Sequence, residues 1–257
     1  DMGCQPHQGA GYYEVADEKN QKFYTEKYGV THPTKPGLKI PEMFEAAINK
    51  ELKGLWIIGE DIVQTDPNSA HVVEAMNSLE LLVVQEIFMS ETAKLATVVL
   101  PGTTFLEKDG TFTNTERRIQ RVNKAVPPLP GTKPDGVIVT DMMQKLGFDQ
   151  PTYDADQVLK EIADVVPFFK GVTRERLGKL GLQWPVQEDG TDTQILHTET
   201  FKLGRGRLKN FDWKESTEIE TNKKEYPLIL TTSRVLQHYN AATMTRRTKN
   251  INIVDED

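Results

Sequence analysis

Two short apolar runs that each stop abruptly in acidic and amide residues constrain this chain more than any other feature. The first is Gly54-Leu55-Trp56-Ile57-Ile58-Gly59-Glu60-Asp61, and the second is Leu79-Glu80-Leu81-Leu82-Val83-Val84-Gln85-Glu86. Both are β-branched or Leu-rich and bounded by polar residues, the pattern of strands buried on both faces of a parallel sheet. Between them, from Pro67 to Ser78, Ala70, Val73, Met76 and Asn77 fall at helical spacing, with Asp66 or Asn68 as the cap. Strand, crossover helix and strand make a right-handed βαβ unit, and open α/β sheets hold ligands outside the carboxyl ends of their strands. Asp61, Gln85 and Glu86 stand at those ends. Asp61 and Glu86 are 86 − 61 = 25 residues apart, close to the ~20 at which dinucleotide-binding folds place an acid for ribose hydroxyls. Gly59 to Thr65 contains no Gly-x-Gly-x-x-Gly and no P-loop lysine, which speaks against an ordinary NAD or ATP site.

The remaining elements arrange themselves around that unit. Residues 1–41, rich in Gly, Pro, Tyr and Lys, read as a covering loop with one helix from Asn20 to Tyr28. Pro41 to Lys53 predicts an amphipathic helix begun by proline, and Ser90 to Leu95 a short one capped by Ser90, whose first-turn N–H groups suit a phosphate. Ala96 to Pro101 is a third strand. Gly110 to Asn114 is a turn, and Glu116-Arg117-Arg118 is either a solvated charge cluster or the source of an arginine that braces the site's loops. After a Pro-rich connector from Ala125 to Pro134, Asp135 caps a helix from Gly136 to Leu146 that turns Val137, Ile138, Met142, Met143 and Leu146 inward. Helices are also expected from Asp154 to Val165 and from Gly171 to Leu182, and strands at Gln194–His197, Arg207–Phe211 and Leu228–Thr232. His197 reads as an ordinary surface histidine, with no acid or cysteine partner at ligand spacing.

Composition narrows the function classes. A chain of 257 residues admits one large α/β domain, or a domain and a piece of another. Its net charge of −7 argues against nonspecific nucleic-acid binding, and no apolar run approaches the ~20 residues of a membrane span. The single cysteine, Cys4, excludes an internal disulfide framework and any multi-cysteine metal or iron–sulfur site within the chain. The start at Asp1-Met2-Gly3-Cys4 reads as a segment of a longer protein, with no legible signal peptide.

Four ordered stretches carry a family resemblance: Ile58-Gly59-Glu60-Asp61, Val84 to Ala93 (VQEIFMSETA), Val98-Val99-Leu100-Pro101 and Gly110 to Gln120 (GTFTNTERRIQ). They resemble the third domain of molybdopterin oxidoreductases of the dimethyl-sulfoxide-reductase superfamily, and within it the catalytic subunit of formate dehydrogenase. The resemblance implies an α/β fold: a Rossmann-like, doubly wound, mainly parallel sheet over residues 1–217. The incomplete start of a β-barrel domain would follow over residues 218–257. It implies a bis-molybdopterin guanine dinucleotide cofactor with molybdenum or tungsten, contacted here by Asp61, Thr65, Gln85, Glu86, Asp135, Arg234 and His238. Of these, Asp135 would receive the guanine N–H donors, and Arg234 and His238 would meet pterin and diphosphate. Most relatives of that family carry tryptophan directly after that aspartate, where this chain has Gly136.

By the same resemblance the parent would oxidise formate to carbon dioxide, or run the reverse, with an electron-transfer subunit as partner. The metal's cysteine or selenocysteine ligand, a histidine beside it, a catalytic arginine and any iron–sulfur cluster would precede residue 1. No residue of this chain is then expected to be catalytic or to ligate metal. Rival readings are a sister oxyanion reductase, a cofactor-free structural subunit related to the large subunit of complex I, and a plain nucleotide-binding domain.

Overall fold

A computed structural model of the chain describes residues 5–201, 203–214 and 225–252. Cys4 and the expected domain boundary between residues 217 and 218 lie outside the described residues. Two compact units are present, Asp1–Gln194 and Ile195–Asp257.

The first unit is mixed α/β. A two-residue hairpin, β1 (Gln8–Gly9) with β2 (Tyr13–Glu14), leads to α1 (Glu18–Tyr28), whose first turn is capped by the Asp17 carboxylate accepting from the Lys19 and Asn20 N–H groups. In α2 (Ile40–Ile48) the proline sits in the first turn, and Glu42 accepts from the Lys39 N–H at 2.7 Å. The apolar runs then form a parallel sheet of β3 (Gly54–Ile58), β4 (Leu81–Glu86) and β5 (Val98–Pro101), in that spatial order. Gly54 pairs with Leu81 and Val83 with Val98, so the carboxyl ends Ile58, Gln85, Glu86 and Pro101 lie side by side.

The crossovers carry α3 (Ile62–Thr65) and α4 (Ser69–Ser78) between the first two strands, and α5 (Glu91–Lys94) between the second and third. Asn68, one of the two expected caps, accepts from the His71 N–H, and Ser90 caps α5 through Ala93. Phe44 and Ala47 of α2, Val72, Ala75 and Met76 of α4, and Leu82 and Val84 of β4 form the core on this sheet.

The described strands follow sequence order, β3-β4-β5, with no reversal of direction, so a doubly wound sheet is not seen among the described residues. Nor are all three strands buried on both faces: β4, paired on both sides, is, whereas Ile58 and Val98 on the flanking strands are exposed.

After the sheet, Gly110 to Val122 is more than a turn with a charged segment. It is an antiparallel hairpin, β6 (Gly110–Thr113) with β7 (Arg118–Val122), whose turn is folded by Asn114 Oδ1 accepting from the N–H groups of Glu116 and Arg118. In α6 (Asp135–Lys145) only Ile138 is fully buried; the inward face expected for Leu146 is absent, since that residue is exposed. The Asp154 carboxylate caps α7 (Ala155–Val165), which presents Leu159 and Ala163 to a second core with Ile119, Val166, Phe169, Val172, Leu177 and Val186. The helix expected over Gly171 to Leu182 is a single turn, α8 (Arg174–Leu177), because the chain then joins the hairpin as β8 (Leu182–Gln183).

The second unit holds a turn of 3-10 helix (Thr245–Arg247) and one helical turn, α9 (Lys249–Asn252). The strands expected at Gln194–His197, Arg207–Phe211 and Leu228–Thr232 are not formed: a strand is stabilised by its ladder, and no described segment pairs with these backbones. No barrel start is therefore seen among the described residues. Among them, too, no helix is long and apolar enough to cross a membrane.

Candidate functional site

The polar carboxyl end of the parallel sheet divides into two clusters with opposite character. In the first, Asp61 follows β3 and is only 4% exposed. Its Oδ1 accepts from the Thr92 N–H at 3.0 Å and the Thr92 hydroxyl at 2.7 Å, and its Oδ2 from Gln64 Nε2 at 2.7 Å and the Glu91 N–H at 3.4 Å. The first-turn N–H groups of α5, expected to be open to a phosphate, are thus taken by Asp61, while Ser90 takes that of Ala93. This carboxylate ties the end of β3 to the start of α5, where the helix dipole also favours it. Thr65, on the exposed rim, donates to Glu60 at 2.6 Å.

The second cluster gathers at the end of β4. The Gln85 side chain is 1% exposed, and its Nε2 donates to Asp135 Oδ1 at 2.8 Å. Lys108, from the turn before the hairpin, forms an ion pair with Asp135 Oδ2. Asp135 is the first residue of α6 and does not cap it; Pro134 holds the cap position, and the carboxylate is drawn across to the sheet. Gly102, directly after β5, makes room for it, since a Cβ there would stand 3.0 Å from Asp135 Oδ1. Burial raises the Asp135 carboxyl, but the hydrogen bonds from Lys108 and Gln85 and the Lys108 charge outweigh it and hold the group below the usual carboxylate range.

Asp135 and Lys108 open onto a cleft of about 260 Å³ that is also lined by Phe112, Gly136, Tyr153 and Val158. Glu86 is half-buried, with one oxygen on the Ile87 N–H at 2.7 Å. Two buried polar atoms near this end have no protein partner: Gln85 Oε1 and Thr103 Oγ1. A buried unpaired acceptor is costly enough that a native chain rarely keeps one without a reason.

Of the residues expected at a ligand, the structure thus brings Gln85 and Asp135 into contact, with Glu86 next to Gln85 in sequence, and places Asp61 with Thr92 instead. Arg234 and His238 belong to the second unit, where Arg234 is exposed and the His238 ring is buried with Nδ1 2.9 Å from Thr245 Oγ1. The arginine expected to brace the site's loops is not found there; Arg117 instead ties the hairpin turn to the segment 184–194. Its guanidinium lies 5.7 Å from the Trp184 ring and donates to the carbonyls of Trp184, Thr193 and Gln194. Sequence reading missed Lys108 and Tyr153; the one signal for Lys108 was a cation in the loop that follows a sheet end.

Comparison with known proteins shows the family. The family model for molybdopterin oxidoreductases matches residues 7–145, and the chain belongs to that family. The F420-dependent formate dehydrogenase subunit alpha of Methanocaldococcus jannaschii is 42% identical over 98% of this chain and 37% of its own length. The F420-dependent formate dehydrogenase 1 subunit alpha of Methanococcus maripaludis is likewise 42% identical, over 98% of this chain and 37% of its own length. The probable oxidoreductase YjgC of Bacillus subtilis is 39% identical over 98% of this chain and 26% of its own length. The chain therefore spans from about a quarter to little more than a third of the length of the curated relatives it matches. Among solved structures, acetylene hydratase from Pelobacter acetylenicus aligns at 20% identity over 60% of this chain and 22% of its own, with a TM-score of 0.46.

Proposed function

We propose that this chain is the part of a molybdenum or tungsten formate dehydrogenase alpha subunit that holds one guanine end of a bis-molybdopterin guanine dinucleotide. The observation that carries the reading is the Asp135 carboxylate, ionised and fixed at the carboxyl end of a parallel sheet. A carboxylate is the natural bidentate acceptor for N1–H and N2–H of guanine. Gln85 and Lys108 each engage one of its oxygens, and a carboxylate has about four acceptor positions, so both oxygens retain capacity for the base. The residues fit the group in a second respect. The orphaned Gln85 Oε1 is an amide acceptor beside that carboxylate, suited to a further donor such as the exocyclic amine of the base.

When bound, the cofactor's metal supplies the two-electron oxidation of formate to carbon dioxide. The chain's own residues orient it: Asp135 sets the position of the base, Lys108 keeps Asp135 charged, Gln85 fixes the carboxylate plane, and Glu86 and Thr65 offer oxygen atoms to ribose hydroxyls on the rim. The energetic logic is preorganisation, since groups already held in place lose little entropy when the ligand arrives. An electron-transfer subunit would accept the electrons.

The test is Asp135→Ala in the full-length protein, read as molybdopterin and guanine nucleotide content per polypeptide after purification. Occupancy should fall; unchanged content would overturn the assignment.

A further inference from the structure

Beside Asp135 a ring from another segment stands against a residue of the helix that carries no side chain. Residue 136 is glycine, and a Cβ built there would lie 2.1, 2.3 and 2.7 Å from Cε2, Cζ and Cδ2 of Tyr153. The Tyr153 ring therefore occupies the space that any side chain directly after Asp135 would fill. Its position is set from the other end by Asp154, the next residue, whose carboxylate caps α7 through the N–H groups of Asp156 and Gln157, both at 2.9 Å. The half-buried ring lines the same cleft as Asp135, Lys108 and Phe112. Burial, with the nearby Asp135 and Asp154 charges, pushes its hydroxyl above the ordinary tyrosine value, so the ring is neutral at any working pH.

We propose that Tyr153 is the flat surface on which the guanine base lies while its edge faces Asp135, and that Gly136 is the residue that admits this surface. The inference rests on the reading of Asp135 as guanine acceptor. A purine needs two kinds of partner, hydrogen-bonding groups at its edge and an apolar plane against its face, and Asp135 supplies only the first. Stacking on an aromatic ring contributes for every base because each has a π-face, whereas an edge carboxylate discriminates by donors. Phe112 lines the cleft as well, but Tyr153 is the aromatic residue in contact with the residue next to Asp135. Affinity and selectivity are thereby divided: Tyr153 strengthens binding of any purine, and Asp135 favours a base that carries the 2-amino group.

Calorimetric titration of the chain with guanosine monophosphate and inosine monophosphate, which lacks that amino group, tests the division. Tyr153→Phe keeps the plane and should bind both like the unmodified chain. Tyr153→Leu should weaken both by a similar factor, roughly 5- to 100-fold, and leave their ratio unchanged. Gly136→Ala, whose methyl would displace the Tyr153 ring, should do likewise with unaltered circular dichroism. Asp135→Ala should collapse the ratio. If Tyr153→Leu binds within about twofold of the unmodified chain while Asp135→Ala still collapses the ratio, the stacking surface is wrong and the guanine reading stands. If Tyr153→Phe is as damaging as Tyr153→Leu, the hydroxyl and not the ring makes the contact, and the inference is again overturned. Failure of the unmodified chain to bind guanosine monophosphate would remove the acceptor reading and the stacking surface together.

Discussion

Replacing Asp61 with alanine removes the carboxylate to which α5 is tied, and the structure sets the size of the effect. Thr92, which gives both its N–H and its hydroxyl to Asp61 Oδ1, is fully buried, so water cannot replace either bond. A buried donor left unpaired costs about 1–3 kcal/mol. The Thr92 hydroxyl still accepts from the Val63 N–H at 3.1 Å, so its own loss falls at the lower end, and exposed Gln64 re-enters water at little cost. The sum is roughly 2–4 kcal/mol, a large part of the 5–15 kcal/mol by which a domain is typically stable. Urea unfolding followed by far-ultraviolet circular dichroism measures it. Asp61→Asn, which keeps one acceptor for Thr92, should fall between the two. If Asp61→Ala unfolds within about 0.5 kcal/mol of the unmodified chain, the level of an ordinary surface change, the tie contributes nothing. The carboxylate would then be available to a ligand after all.

Three further outcomes follow from the geometry. Lys108→Met leaves the burial of Asp135 opposed mainly by Gln85, so its carboxyl rises, and the acid limb of guanosine monophosphate binding should move to higher pH in a series of titrations. The Glu107 carboxylate, accepting from the Thr104 N–H and hydroxyl and from the Leu129 N–H, is held below the usual range. It therefore stabilises the fold above the unfolded value of about 4.3 and loses that contribution as pH falls through its lower folded value. Glu107→Gln should lower the urea midpoint at neutral pH and flatten its fall with acid. Arg117→Ala should cost about 1–3 kcal/mol and speed hydrogen exchange around Trp184 and Thr193, since three carbonyls lose their donor. Arg117→Gly should lose less than alanine, because φ at this position is +64°.

What the sequence disclosed and what it hid divide along the range of the interactions. Asn68 and Ser90 were legible as caps because a cap reaches only two or three residues along its own chain. The three parallel strands were legible because a run of apolar residues ended by a turn is also local. The hairpin from Gly110 to Val122 was missed as a hairpin because Arg118, Gln120 and Arg121 carry no apolar alternation; only Ile119 is buried, and the pairing with β8 that fixes the strand comes from more than sixty residues further on. Lys108 and Tyr153 left still less trace. A lysine in a turn and a tyrosine before a helix are unremarkable until the fold sets both in the cleft that Asp135 lines.

Asp61 and Asp135 show where the limit lies. Both are aspartates at the carboxyl end of the same sheet; the sequence placed Asp61 there as the end of a strand, and read Asp135 as a helix cap that only the family resemblance made a guanine acceptor. Their fates were decided by the donors that the fold brings to each. Asp61 meets the start of a short helix together with a buried hydroxyl, and it is more than nine-tenths buried with both oxygens engaged. Asp135 meets one amide and one ammonium group, stays half exposed, and faces a cleft with a glycine behind it and an aromatic ring beside it. A carboxylate whose acceptor positions are filled from within holds the protein together; one left partly filled beside a cavity is free to hold something else. Residue type alone cannot separate these roles, because the Glu91 and Thr92 donors that engage Asp61 lie about thirty residues away and the lysine that leaves Asp135 charged lies twenty-seven residues before it.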